Sequence, residues 1–171
     1  MNPNLDPHTL NSKKGFTLIE IMITIMLFLL ISGFLVGLMM MATRVQYKET
    51  ADIEVGSQLS FIMQTIQRLI RESTAVSVNS DSQTLTLTIP DAARNPTRIA
   101  LNNGGIDIKE GSGATTTLTT AKVSAEHLVF TRFTNPPASD VVKILIVLRY
   151  ATANPFASTT RTLQSSAGLL Y

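Results

Sequence analysis

Few side chains in this sequence could carry chemistry, and the most informative is an acid in an unexpected place. Glu20 stands at the head of an apolar run, and the 22 residues from Ile21 to Ala42 that come after it carry no formal charge. A carboxylate at the centre of a membrane helix costs roughly 2.5–3.5 kcal/mol, and less near the helix end. Two readings stay open at this point. Either Glu20 lies at headgroup depth and is hydrated, or a cation from another helix pairs with it, since no basic residue follows it until Arg44.

The rest of the inventory is thin. Cysteine is absent, which removes disulfides, thiolate metal sites and cysteine nucleophiles. His127 is the only histidine outside the N-terminal leader and reads as an ordinary packed or solvated side chain; His8, within the leader, reads as a solvated loop residue. Asp81, Asp91, Asp107 and Asp140 could lend oxygens to calcium, but they fall in separate loops without ligand spacing. Asn102–Gly105 is no phosphate cradle, because neither a lysine nor a helix start comes after it. No catalytic residue, cofactor or metal is assigned, and the chain reads as non-enzymatic.

The element that must position Glu20 is a long helix. At about 1.5 Å per residue, the uncharged run crosses a hydrocarbon core of about 30 Å. Lys13 and Lys14 precede it and Arg44 and Lys48 lie beyond it, so local basic residues alone do not fix the orientation. Keeping the short leader in the cytoplasm leaves the larger C-terminal part to be exported, and this is the orientation expected. A cleaved secretory signal would have a shorter apolar core and a small-residue cleavage site. The far end of this run, GLMMMATRVQY, offers no clean A-x-A pattern.

Residues 8–89 contain no proline, and beyond the run Val55, Leu59, Ile62, Ile66 and Leu69 recur at helical spacing, widened by Met63 and Ile70. One continuous helix is expected from Phe16 to about Glu72, with two helices hinged near Thr43 or Gly56 as the alternative. Its outer half is amphipathic and must bury its stripe against the C-terminal part of the chain.

From Val76 the period changes to 2. Leu85, Leu87 and Ile89 alternate with Thr84, Thr86 and Thr88, which fits a half-buried strand with its threonines outward. Arg98–Leu101 and Ile106–Lys109 flank Asn102-Asn103-Gly104-Gly105, a hairpin signal. Further strands are expected at Thr115–Val123, His127–Phe133, Val141–Tyr150 and Phe156–Gln164, with Asn135-Pro136-Pro137 as a break and Ala167–Tyr171 as a tail. Val141–Tyr150 is apolar on both faces, so it belongs at the centre of a sheet. The fold class expected is α+β: a long N-terminal helix packed on a mainly antiparallel sheet. The 129 residues from Thr43 to Tyr171 suffice for one modest domain. Twelve basic side chains after residue 42 are scattered among ten acids, without the Lys/Arg block that grips nucleic acid, and no nucleic-acid partner is expected.

Lys13-Lys14-Gly15-Phe16-Thr17-Leu18-Ile19-Glu20, with the apolar run directly after it, resembles the N-terminal signal of prepilins, the precursors of type IV pilins and of type II secretion pseudopilins. The likeness covers about Lys13–Met41; beyond it only the architecture agrees. The resemblance implies a leader of residues 1–15, a transmembrane and assembly helix of residues 16–42, and a pilin-like outer domain of residues 43–171. It implies cleavage between Gly15 and Phe16 by a prepilin peptidase, N-methylation of Phe16, and pairing of Glu20 with the Phe16 amine of a neighbouring subunit. The partners it implies are other pilin or pseudopilin subunits, the peptidase, an inner-membrane assembly platform, and lipid before assembly. The place implied is the bacterial inner membrane, N-terminus cytoplasmic, and then a filament. Gly33 and Gly37 stand where many pilins have a helix proline, and the C-terminal cysteine pair and the calcium loop of major subunits are missing. Both absences, with the threonine-rich strands and the Gln64–Glu72 segment, favour a minor subunit. The competing reading is a single-pass, signal-anchored protein that binds a surface without polymerising.

Overall fold

A computed structural model describes residues 15–134 and 139–169. The leader with His8, Lys13 and Lys14, the Asn135-Pro136-Pro137 break and the last two residues lie outside these.

The first element is assigned as one helix, α1 (Leu18–Glu72), rather than two. It starts two residues later than the sequence suggests, because Thr17 caps it rather than joining it. By its internal contacts the chain divides between Ala42 and Thr43, within this helix. The N-terminal unit contributes the segment that is long and apolar enough to cross a membrane. Its large apolar side chains, from Phe16 to Met41, are exposed. Such exposure of an apolar helix is the state of one whose solvent is lipid or other helices.

In the C-terminal unit, α1 buries Ala51, Val55, Leu59, Ile62, Met63, Ile66, Leu69 and Ile70, the stripe its spacing defines. Ser60, Gln64, Arg68 and Arg71 on the other side are exposed. A five-stranded antiparallel sheet comes next: β1 (Ala75–Val78), β2 (Thr84–Thr88), β3 (Thr97–Asn102), β4 (Gly105–Glu110) and β5 (Thr115–Thr117), neighbours in that order. A three-stranded antiparallel sheet completes the fold: β6 (Val123–Phe133), β7 (Val141–Tyr150) and β8 (Thr160–Gly168), with β7 central. The helix stripe and the inner faces of both sheets share one apolar core, in which Leu85, Leu87, Ile99, Ile106, Leu128, Phe130, Ile144 and Ile146 are fully buried. The fold is therefore α+β and pilin-like.

Several strand boundaries differ from those the sequence suggests, each for a local reason. The threonine-rich strand stops at Thr117, because the Val123 amide closes a turn onto the Thr120 carbonyl and the chain enters β6 there. β6 consequently begins at Val123 rather than His127, with a bulge between Ala125 and His127. At the bulge the Ala125 amide leaves the ladder and donates to the Gly104 carbonyl at 2.7 Å. The β3–β4 turn that supplies this carbonyl has positive φ at Asn103 and Gly104, as a two-residue hairpin of this hand requires. The last strand starts at Thr160, after a 3-10 turn at Pro155–Ala157 capped by Asn154, and runs through Gly168, so Ala167 and Leu169 are buried rather than a tail. Thr84 is also covered, at the turn end of β2, where the Asn79 amide donates to its carbonyl.

Candidate functional site

Gly15, Phe16 and Thr17 form the extended lead-in to α1, and with Glu20 they line one surface recess. Thr17 fixes how the helix begins. Its hydroxyl accepts from the Glu20 amide at 3.3 Å, and its carbonyl accepts from the amides of Glu20 (3.1 Å) and Ile21 (3.3 Å). That is an N-cap, which satisfies amides that would otherwise lack partners at a helix start. Thr17-x-x-Glu20 has the capping-box spacing, so the signal that could have placed this cap lies openly in the sequence. The Thr24 hydroxyl donates to the Glu20 carbonyl at 2.7 Å, one turn on.

Phe16 is 79% exposed. The Glu20 carboxylate is exposed as well and makes no ion pair with any described residue. Its position in the first turn gives it one favourable interaction, with the positive end of the helix dipole. Gly15 is open: a Cβ added there meets nothing within 4 Å, so neither space nor backbone angle demands a glycine. The geometry thus brings Gly15, Phe16 and Glu20 to one exposed helix start and, among the described residues, leaves the carboxylate without an ion pair.

The other candidates go elsewhere. Asp81 and Asp91 accept from the amides of Gln83 and Ala93 in their own turns, at 2.9 and 3.0 Å. Asp107 accepts from Asn102 and Thr117, and Asp140 pairs with Arg132 at 2.6 Å. Among the described residues no cluster of three or more acids and histidines is placed to hold a metal. His127 lies on the exposed side of β6 beside the bulge. Arg44, one of the charges flanking the apolar run, lies with its guanidinium 4.4 Å from the centre of the Phe156 ring.

Residues 10–36 match the family described as the prokaryotic N-terminal methylation motif. This is the prepilin-type signal, and Gly15, Phe16, Thr17 and Glu20 all fall within it. No curated protein and no solved structure matches the chain. The motif, the exposed apolar helix and the antiparallel sheets together support a pilin- or pseudopilin-like subunit. A prepilin-type motif implies processing by a prepilin peptidase and assembly with other pilins.

Proposed function

We propose that the chain is a minor structural subunit of a type IV pilus or a type II secretion pseudopilus. The methylation motif at the head of a helix whose large apolar side chains are exposed carries this reading. Hydrolysis of the Gly15–Phe16 bond releases residues 1–15 with a new carboxylate on Gly15 and leaves an amine on Phe16. A methyl group from a sulfonium-type donor, which leaves as a neutral thioether, is then taken by the neutral amine, and one N–H proton passes to water. The amine of a mature N-terminus has a pKa near 8 and is cationic at neutral pH. It sits at the positive end of a helix, where a cation is disfavoured. An acid beside it is therefore what it needs, and the unpaired Glu20 of a neighbouring subunit supplies one as the helix leaves lipid for the filament.

The same reading puts the N-terminus in the cytoplasm and residues 43–171 outside the inner membrane before assembly. The partners are other subunits, the peptidase and an assembly platform in that membrane. Substituting Glu20 tests the pairing. Glu20→Val and Glu20→Ala are expected to insert and to be cleaved normally, yet to be strongly depleted from sheared filaments quantified by immunoblot. Wild-type incorporation of both variants would remove the pairing role.

A further inference from the structure

The outward face of the five-stranded sheet holds a feature that assembly through α1 leaves unused. Strand register aligns Ser77, Thr86, Arg98, Lys109 and Thr115 in one row across all five strands. Their strand neighbours Val76, Leu85, Leu87, Ile99 and Ile108 are buried in the core, so the alternation of a strand turns this row to solvent. Arg98 and Lys109 stand directly opposite each other and are both exposed. Like charges in that relation destabilise a sheet by a fraction of a kcal/mol.

Nothing nearby compensates them. Neither makes an ion pair or side-chain hydrogen bond with any described residue, whereas Arg94, Lys122, Arg132, Arg149 and Arg161 all pair with acids. The carboxylate in the adjacent row, Asp107, is engaged by neutral donors instead: Asn102 Nδ2 at 3.0 Å and Thr117 Oγ1 at 2.6 Å. Beside the pair, the small side chain of Ala100 leaves a recess of about 370 Å³, rimmed by Thr84, Arg98, Asn102, Asp107 and Lys109. Small-molecule sites begin at about 300 Å³.

The chemistry of this face narrows its occupant. It carries no aromatic side chain, so it has no platform for the stacked bases of single-stranded nucleic acid. Duplex DNA requires several cations tracking successive phosphates, and two cations next to Asp107 do not provide them. Leu101, the large aliphatic side chain in the lining, packs against the core and leaves little burial for an apolar partner. A ligand with spaced carboxylates and many hydroxyls fits, because threonine, asparagine and aspartate exchange hydrogen bonds with hydroxyls. We propose that this face binds a carboxylate-bearing polysaccharide. A sugar carboxylate lies on Arg98 and Lys109, and the ring occupies the recess over Ala100, its hydroxyls meeting Asn102 and Asp107.

Polygalacturonate titrated into the full chain in detergent micelles tests this. Wild type is expected to bind saturably, more weakly as salt rises, and not to bind the methyl-esterified polymer, whose carboxylates are capped. Arg98→Gln/Lys109→Gln is expected to weaken binding about tenfold or more, from the loss of two charge-assisted contacts. Arg68→Gln/Arg71→Gln removes the same charge from α1 and is expected to bind as wild type does. Ala100→Leu, which fills the recess with both cations in place, is expected to bind weakly. Circular dichroism checks that each variant is folded. The proposal is overturned by an absence of saturable binding, by wild-type affinity in the Arg98/Lys109 or the Ala100 variant, by equal loss in the Arg68/Arg71 variant, or by tighter binding of duplex DNA.

Discussion

Gly15 separates two kinds of constraint within one residue. The fold tolerates a side chain there, since a Cβ meets nothing within 4 Å. Any need for glycine at this position must therefore come from an enzyme that reads the junction. Gly15→Val is expected to leave the thermal unfolding curve unchanged while the protein keeps its unprocessed mass; a normally trimmed chain would show that the junction is not read. Asp52 gives a second prediction. It accepts from the Thr159 hydroxyl and pairs with Arg161 at 3.6 Å, tying α1 to the start of β8. The Thr159 hydrogen bond first, then the Arg161 charge, hold its pKa below the ordinary 3.8 despite partial burial. A lowered folded pKa means that the stabilisation is complete above about pH 4 and is lost as pH falls through the folded value. Wild type should therefore lose melting temperature over that acid range more steeply than Asp52→Asn. Parallel curves would contradict the assignment. The Glu20 motif is legible from residue types in register. The Arg98–Lys109 pair is not, because eleven positions separate the two and only strand register makes them neighbours.

Among the elements, α1 is the most legible, since its stripe repeats over many turns and each buried side chain reinforces the same period. β7 is legible for a similar reason, being apolar along its length and central in its sheet. The threonine-rich segment misleads because threonine suits a strand whether or not a partner strand exists. β5 has only β4 beside it and ends after three residues. The β4–β5 turn is set by contacts that no pattern announces. Gly111 has φ +52°, its amide donates to the Pro96 carbonyl at 2.9 Å, and an added Cβ would lie 2.3 Å from the Ala93 carbonyl oxygen. The loop it touches is also held by Arg94, which bonds Glu110 at 2.8 Å and Glu72 at 3.2 Å. Gly111→Ala is therefore expected to cost about 2 kcal/mol or more, from left-handed strain and the clash together. A chemical-denaturation midpoint equal to that of wild type would show that this loop is not packed so closely.

For the whole molecule, the two units make opposite demands on their surroundings. The C-terminal unit buries its own core, shared by the helix stripe and both sheets. The N-terminal unit leaves its large apolar side chains exposed among the described residues, as suits a helix covered by lipid or by other helices. An anchor and a filament subunit both fit that exposure; what distinguishes them is whether the chain is cut ahead of the helix so that a charged amine faces Glu20. Intact-mass and N-terminal peptide mass spectrometry of the protein from its native membrane measures this directly. A chain that begins at Phe16 and carries one methyl group on its amine is the expected result. A chain that retains Met1–Gly15 would contradict it and leave a non-polymerising anchor in its place.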